Sequence, residues 1–280
     1  MSLKLMYITD NTDVALMAES CGVDRIFVDM EYIGKSDRQG GMDTVQSRHT
    51  IDDVKRLRGV LTRSELLVRV NPIHEASDVY GSSADEIDDV IAAGADVIML
   101  PYFKTAREVE QFISLVNGRV RTMLLIETPE AVEAIDEILS LDGIDEVFVG
   151  LNDLSLGYGK KFMFELLSDG TVEKLCLKFR LKGIPYGFGG IAAIGKGMLP
   201  AERIIAEHYR LGSTCVILSR SFCNTTGLTD LSGVAETFAD GVAEIRRFEK
   251  QCDERMSWFW KNREDVISIV NEFSKSMKEK

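Results

Sequence analysis

The sequence predicts an α/β protein of the closed TIM (β/α)8-barrel type, with additional helices at its C-terminal end. Three observations point there. Eight short, β-branched apolar runs recur at fairly even spacing, at residues 5–9, 25–30, 66–70, 96–100, 122–127, 146–150, 184–188 and 214–219. Most of them are continuous apolar strings, the pattern of strands buried on both faces of a parallel sheet. Helical patterns lie between them, and 280 residues is an ordinary length for one such barrel. A doubly wound open sheet is the competing architecture.

The elements follow in order. After the first strand, Asp13-Val-Ala-Leu-Met-Ala-Glu-Ser-Cys forms a helix that Gly22 stops. Thr50 caps the helix that opens Ile-Asp-Asp-Val-Lys-Arg-Leu. Ser83-Ala-Asp-Glu-Ile-Asp-Asp-Val-Ile-Ala-Ala runs to Gly94. Thr105 caps Ala-Arg-Glu-Val-Glu-Gln-Phe-Ile, which carries acids in its first turns, where the helix dipole favours them. Pro200 opens a helix that stops at Gly212. The stretch Gly187-Phe-Gly-Gly-Ile-Ala-Ala-Ile-Gly-Lys-Gly reads as a loop after the seventh strand, either shaped for close backbone approach to substrate or simply flexible. It matches neither the dinucleotide nor the P-loop fingerprint.

No repeat or linker divides the chain, so residues 1–228 are assigned to the barrel and 229–280 to a helical extension. In the extension Leu231, Val234, Phe238, Val242, Ile245 and Phe248 fall at helical spacing, and Met256-Ser-Trp-Phe-Trp begins a second helix. The two readings are helices packed on the barrel's outside and an oligomerisation arm anchored by Trp258, Phe259 and Trp260. The aromatic cluster favours the arm.

The formal net charge of -12 argues against a nucleic-acid partner, because that recognition rests on clustered Lys and Arg. No apolar run approaches the roughly 20 residues that span a bilayer, and the first residues lack the pattern of a signal peptide. The five cysteines are scattered, with no C-x-x-C pair, which fits a reducing, cytoplasmic setting and not a zinc-thiolate site.

In barrels of this type chemistry sits at the C-terminal ends of the strands. Glu127 ends the fifth run, where a buried carboxylate needs a partner or a cation. Asp153, beyond the sixth run, can face it. Two carboxylates that leave open positions are the usual protein share of a Mg²⁺- or Mn²⁺-type site. The bland alternatives are a helix cap at Asp153 or Asn152 and a structural pair between Glu127 and Arg69. Arg69 ends the third run with a fixed cationic fork suited to a substrate carboxylate or enolate oxygen, or to an ion pair with Glu31 or Glu127. Asn152 and Asp153 offer N–H groups at a turn, which could hold a substrate carboxylate. Glu31 stands on the same rim as a further substrate-binding candidate. No run ends in Lys, which counts against a Schiff-base aldolase and toward metal-assisted enolate chemistry.

Taken in order, Phe27-Val-Asp-Met-Glu, Leu67-Val-Arg-Val-Asn-Pro, Gly94-Ala-Asp-Val-Ile-Met-Leu-Pro, Leu125-Ile-Glu-Thr and Val149-Gly-Leu-Asn-Asp-Leu-Ser resemble the HpcH/HpaI aldolase and citrate lyase β-subunit family. The resemblance runs from about Asp13 to about Phe222. It implies a barrel with a divalent ion on Glu127 and Asp153, a substrate-binding Arg69, and C–C bond chemistry beside a pyruvate or acyl-CoA enolate. It also implies homo-oligomers, trimers or hexamers, that exchange C-terminal helices. The family pattern is Asp-x-Glu-His, whereas this chain reads Asp29-Met30-Glu31-Tyr32.

The leading expectation is a lyase acting on a 4-hydroxy-2-oxo acid through a pyruvate enolate. A CoA-thioester lyase of the citryl-CoA or malyl-CoA kind and a non-catalytic binding barrel are the alternatives. Tyr32 occupies the position of the family's proton-transferring His, but an unperturbed phenol, with pKa about 10, is a poor base. His49, in the connection after the second strand, is chemically the better candidate. His74 comes second, and His208 reads as structural.

Overall fold

A computed structural model of the chain describes residues 2–35, 49–228, 230–254 and 256–276. Its strands are β1 Lys4–Ile8, β2 Arg25–Asp29, β3 Glu65–Arg69, β4 Val97–Leu100, β5 Arg121–Ile126, β6 Glu146–Val149, β7 Tyr186–Ile191 and β8 Cys215–Leu218. They pair in parallel in sequence order, and β8 returns to β1 through the register Tyr7↔Leu218. The barrel is therefore closed, and the open-sheet alternative is excluded.

The helices are α1 Thr12–Ser20, α2 Ile51–Val60, α3 Ser83–Ala92, α4 Ala106–Val116, α5 Pro129–Glu133, α6 Ile135–Ile138, α7 Leu151–Gly157, α8 Glu165–Ser168, α9 Thr171–Lys182, α10 Ala201–Leu211, α11 Val234–Glu254 and α12 Phe259–Ser276. Thr105 caps α4 as expected: its N–H donates to Glu108 at 2.9 Å, and its hydroxyl accepts the Glu108 N–H at 3.3 Å. At the far end of α10, Gly212 adopts φ 75°, the left-handed stop that its sequence position suggested.

Two apolar layers result. The inner one fills the barrel with Met6, Phe27, Leu67, Val97, Met99, Met123, Leu125, Phe148 and Cys215. The outer one lies between strands and helices. Below the inner layer, the first residues of several strands form an ionic plug. Arg25 is fully buried, and its guanidinium reaches Glu65 and Glu146, each at 2.7 Å. Arg121 joins the same two carboxylates.

One expectation needs correction. The glycine-rich stretch is not wholly a loop after the seventh strand: Gly187, Gly189 and Gly190 lie inside β7, which starts and ends later than its apolar run suggests. The register against β8 shifts between Gly187 and Gly190. A Cβ at Gly187 would stand 2.3 Å from the Cys215 carbonyl oxygen, so only glycine lets the strands approach there. The long connection expected at 33–49 falls outside the described residues over 36–48.

The C-terminal helices pack on the barrel of their own chain. α11 lies against α1 and α10, and α12 lies against α10 and α8. Phe238 is buried edge-on to Tyr7, with ring centroids 4.8 Å apart. Buried Asn262 donates to the Arg203 carbonyl and to Glu207, both at 3.0 Å. Of the three candidate anchors, Trp258 and Phe259 are half-buried, while Trp260 is 70% exposed. The five cysteines are free thiols. Among the described residues no helix is long and apolar enough to cross a membrane.

Candidate active site

The strand ends converge on a cavity of about 220 Å³ at the C-terminal mouth of the barrel. Phe27, Met99, Leu125 and Phe148, all from the inner core, give it apolar walls. Arg69, Glu127, Asn152 and Asp153 supply its charged and amide side chains. The sequence placed these four on one rim, and the structure brings them to one cavity.

Arg69 is the last residue of β3, in register with Asp29, the last of β2. That pairing lets the guanidinium grip the Asp29 carboxylate with two bonds, Nε at 2.8 Å and Nη2 at 2.7 Å. Its Nη1 lies 3.5 Å from Glu31. Lys35 completes the cluster, with Nζ 2.6 Å from Asp29 and 3.7 Å from Glu31. Burial would push the Asp29 carboxyl up, but Arg69 and Lys35 together hold it far below the usual carboxylate range. Arg69 is thus both anchored and exposed to the cavity. The expected pairing with Glu31 is present but longer than the unexpected one with Asp29.

Glu127 follows β5 and is 4% exposed. The Tyr102 N–H donates to its Oε1 at 3.0 Å. Tyr102 has φ 47°, a left-handed conformation costly for a bulky residue, and this strained turn after β4 aims the donor at the carboxylate. On the other side, a Cβ at Gly150 would lie 2.9 Å from Glu127 Oε2, so the glycine leaves the carboxylate its cradle. Burial pushes the Glu127 carboxyl up to about 8; Arg69 opposes the shift, while Glu31 and Asp153 reinforce it. Asp153 sits in the first turn of α7, and Asn152 Nδ2 donates to its Oδ1 at 3.1 Å. A neighbouring cavity, also about 220 Å³, shares Glu127 and Asp153 as walls. Among the described residues no group of three or more His, Cys, Asp or Glu is placed to hold a metal.

Tyr32, His49 and His74 do not line the mouth cavity. They line another, of about 300 Å³, beside it. His49 Nδ1 accepts the Asp29 N–H at 3.0 Å, so the neutral ring carries its proton on Nε2. Burial lowers the His49 pKa. The Tyr32 phenol is pushed up to about 12 by burial and then by Asp29, which makes it a still poorer base. His208 is fully buried, stacked on Phe188 at 3.8 Å, and burial pushes it down to about 3, as a structural ring requires. Sequence reasoning missed Lys35, Tyr102 and the role of Asp29. Only Asp29 had a visible signal, its place at a strand end. A larger cavity, about 500 Å³, opens at the opposite end of the barrel near Arg121 and Asp145 and contains none of these residues.

The barrel with carboxylates and a guanidinium at its mouth belongs to a known class. The profile described as HpcH/HpaI aldolase/citrate lyase matches residues 5–164, and the chain belongs to that family. It is 26% identical over 106 residues to the hydroxypyruvate/pyruvate aldolase of Roseovarius nubinhibens, covering 38% of this chain and 40% of that relative. A shorter stretch of 48 residues is 48% identical to the hydroxypyruvate/pyruvate aldolase of Rhizorhabdus wittichii, covering 17% of this chain and 19% of the relative. The chain thus spans less than half the length of these curated relatives. In fold it is similar to the HpcH/HpaI aldolase of Desulfitobacterium hafniense DCB-2, with TM-score 0.55 at 18% identity over 88% of this chain and 93% of that one. It is also similar to an HpcH/HpaI aldolase/citrate lyase family protein of Burkholderia cenocepacia J2315, with TM-score 0.58 at 14% identity over 90% and 94% of the two chains.

Proposed function

We propose that this chain is a divalent-metal-dependent carbon–carbon lyase that cleaves or forms a 4-hydroxy-2-oxo acid through a pyruvate enolate. The observation that carries the reading is the charge balance at the barrel mouth. Four buried carboxylates, Asp29, Glu31, Glu127 and Asp153, face two fixed cations, Arg69 and Lys35. Burial holds the Glu127 carboxyl up at about 8, and a cation beside it would ionise it; with all four carboxylates charged, two negative charges remain, the complement of one Mg²⁺ or Mn²⁺. The donors fit such an ion: hard carboxylate oxygens, too few to enclose it, with room for substrate oxygens and water. Glu127 and Asp153 would hold it. When bound, it supplies Lewis-acid stabilisation of the oxygen on which negative charge develops.

The chain's own residues do the rest. Arg69, fixed by Asp29, presents a permanent positive charge to the carboxylate or the 2-oxo oxygen of the substrate. Asn152 and Asp153 orient the same end, and the apolar walls exclude water from it. Among the described residues Arg69 is the only Lys or Arg lining the cavity of about 220 Å³, which favours a small 2-oxo acid over a CoA thioester. Carboxylates buried at the mouth beyond the needs of the fold argue against a non-catalytic barrel. Calorimetry with Mn²⁺ and then oxalate, together with pyruvate proton exchange in deuterium oxide, tests the reading. Glu127→Gln and Asp153→Asn should each lose most Mn²⁺ affinity and exchange. Wild-type protein that exchanges no pyruvate protons with any divalent ion would refute the proposal.

A further inference from the structure

The mouth carries a lysine that the chemistry above does not use. Lys35 is 5% exposed, yet it lines neither the mouth cavity nor the one beside it. Burying an ammonium costs both its water and its rotamer freedom, so the surrounding fold has to hold it in place. The Lys35 N–H donates to the Tyr32 carbonyl at 3.3 Å, which closes a tight turn. Gly34 supplies the left-handed residue of that turn, with φ 72°. Asn71 fixes its start, Oδ1 accepting the Tyr32 and Ile33 N–H groups at 2.8 and 2.9 Å. Glu86 in turn accepts the Asn71 Nδ2 at 2.8 Å. The turn sends the Lys35 side chain back toward the end of β2, where Nζ meets Asp29 Oδ2 at 2.6 Å.

Arg69 Nη2 reaches that same oxygen at 2.7 Å, while its Nε holds Oδ1 at 2.8 Å. Glu31, 1% exposed, lies 3.5 Å from Arg69 Nη1 and 3.7 Å from Lys35 Nζ. Two carboxylates thus face two cations in one closed group. Of these four residues Arg69 alone lines the mouth cavity. Without Lys35 the group would carry a surplus negative charge, which would repel an anion arriving at the guanidinium. With Lys35 in place the group is neutral, and Arg69 can still accept an anion on its cavity side.

We propose that Lys35 is a positioning residue for substrate binding. It does not touch the substrate; it offsets Asp29 and Glu31 so that Arg69 can receive the carboxylate of a 2-oxo acid. The identity of that anion rests on the lyase reading.

Calorimetry on the full chain tests this with Mn²⁺, and then with oxalate on the Mn²⁺-loaded protein. Lys35→Gln adds one net negative charge to the mouth. Mn²⁺ affinity should rise by about tenfold and oxalate affinity should fall by about tenfold, the scale of one partly buried charge at short range. A residue needed only for the shape of the rim would lower both. The double variant Glu31→Gln/Lys35→Gln removes one charge of each sign and should bring both affinities to within about threefold of wild type. Three results overturn the proposal: oxalate affinity unchanged in Lys35→Gln, both affinities falling together, or a double variant as weak as the single one. Should Lys35→Gln not fold by circular dichroism, the double variant decides alone. Oxalate binding within about threefold of wild type then supports charge balance, and a larger loss overturns it. Pyruvate proton exchange separates the two readings. Exchange that persists while Lys35→Gln behaves as wild type refutes the Lys35 role only. Lys35-dependent oxalate binding without exchange refutes the lyase only. Wild type that binds no oxalate refutes both.

Discussion

A single hydrogen atom in place of a methyl group sets the metal candidate's geometry. Gly150 closes β6 against the Glu127 carboxylate, and a Cβ there would also lie 3.0 Å from Glu127 Cβ. Gly150→Ala should therefore turn the carboxylate without disturbing the barrel. The expected result is Mn²⁺ affinity lowered by about tenfold or more, the scale on which groups supporting a metal ligand act. Calorimetry reads the affinity, and circular dichroism should show an almost unchanged fold. Wild-type affinity in the variant would mean that Glu127 is not a ligand. At this scale the sequence was informative about position and silent about direction. Arg69, Glu127 and Asp153 were legible because a strand end assigns a residue to the rim. The bidentate partner of Arg69 was not, because Asp29 lies 40 residues away and cross-strand register decides the match. His49 and Tyr32 were placed on the correct rim, yet their side chains turn into the neighbouring cavity.

Among the elements, the strands owe their lower ends to the ionic plug. Arg25 has no water to turn to, so removing it leaves Glu65 and Glu146 facing each other without their central cation. Arg25→Met should destabilise the fold by about 3–5 kcal/mol, the usual consequence of breaking one side of a buried pair. Urea denaturation measures this, and an unshifted midpoint would show that the plug is dispensable. The same cluster predicts an acid limb. Burial raises the Glu65 carboxyl, but Arg25, Lys4 and Arg121 outweigh it and bring the group from 4.5 down to about 2. A depressed carboxylate contributes its stability above the unfolded value and loses it as pH falls through the folded one. Melting temperature should thus drop between pH 4.5 and about 2, and Glu65→Gln should flatten that drop. Strand runs were legible where apolar residues are continuous. β7 was displaced because Gly189 and Gly190 carry no side chain to signal a strand, although Gly189 takes a left-handed φ of 54° with the Leu151 side chain packed against it. α9 was missed because Leu177 and Leu181, both exposed, blur the stripe that Val172, Leu175, Cys176 and Phe179 form.

For the molecule as a whole, the tail is part of the barrel's covering before it is anything else. Phe238, Ile245 and Val270 are fully buried against it. Deleting residues 230–280 should expose the apolar faces of α1 and α10 and yield insoluble protein or particles of lower mass by light scattering. A soluble truncated chain with unchanged subunit number would contradict the oligomerisation role expected from the sequence. Of the three residues expected as anchors, Trp260 is the one that stays exposed, since Trp258 packs edge-on to Phe248 and beneath Arg203.

The plug and the inner apolar layer have a consequence for traffic. A barrel sealed below is a vessel with one doorway, so whatever lies deepest leaves last. On the lyase reading the 2-oxo acid half sits inward, against Arg69 and the carboxylates, and the aldehyde half sits outward. Release is then ordered by architecture alone: the aldehyde departs first, and pyruvate stays until the way out is clear.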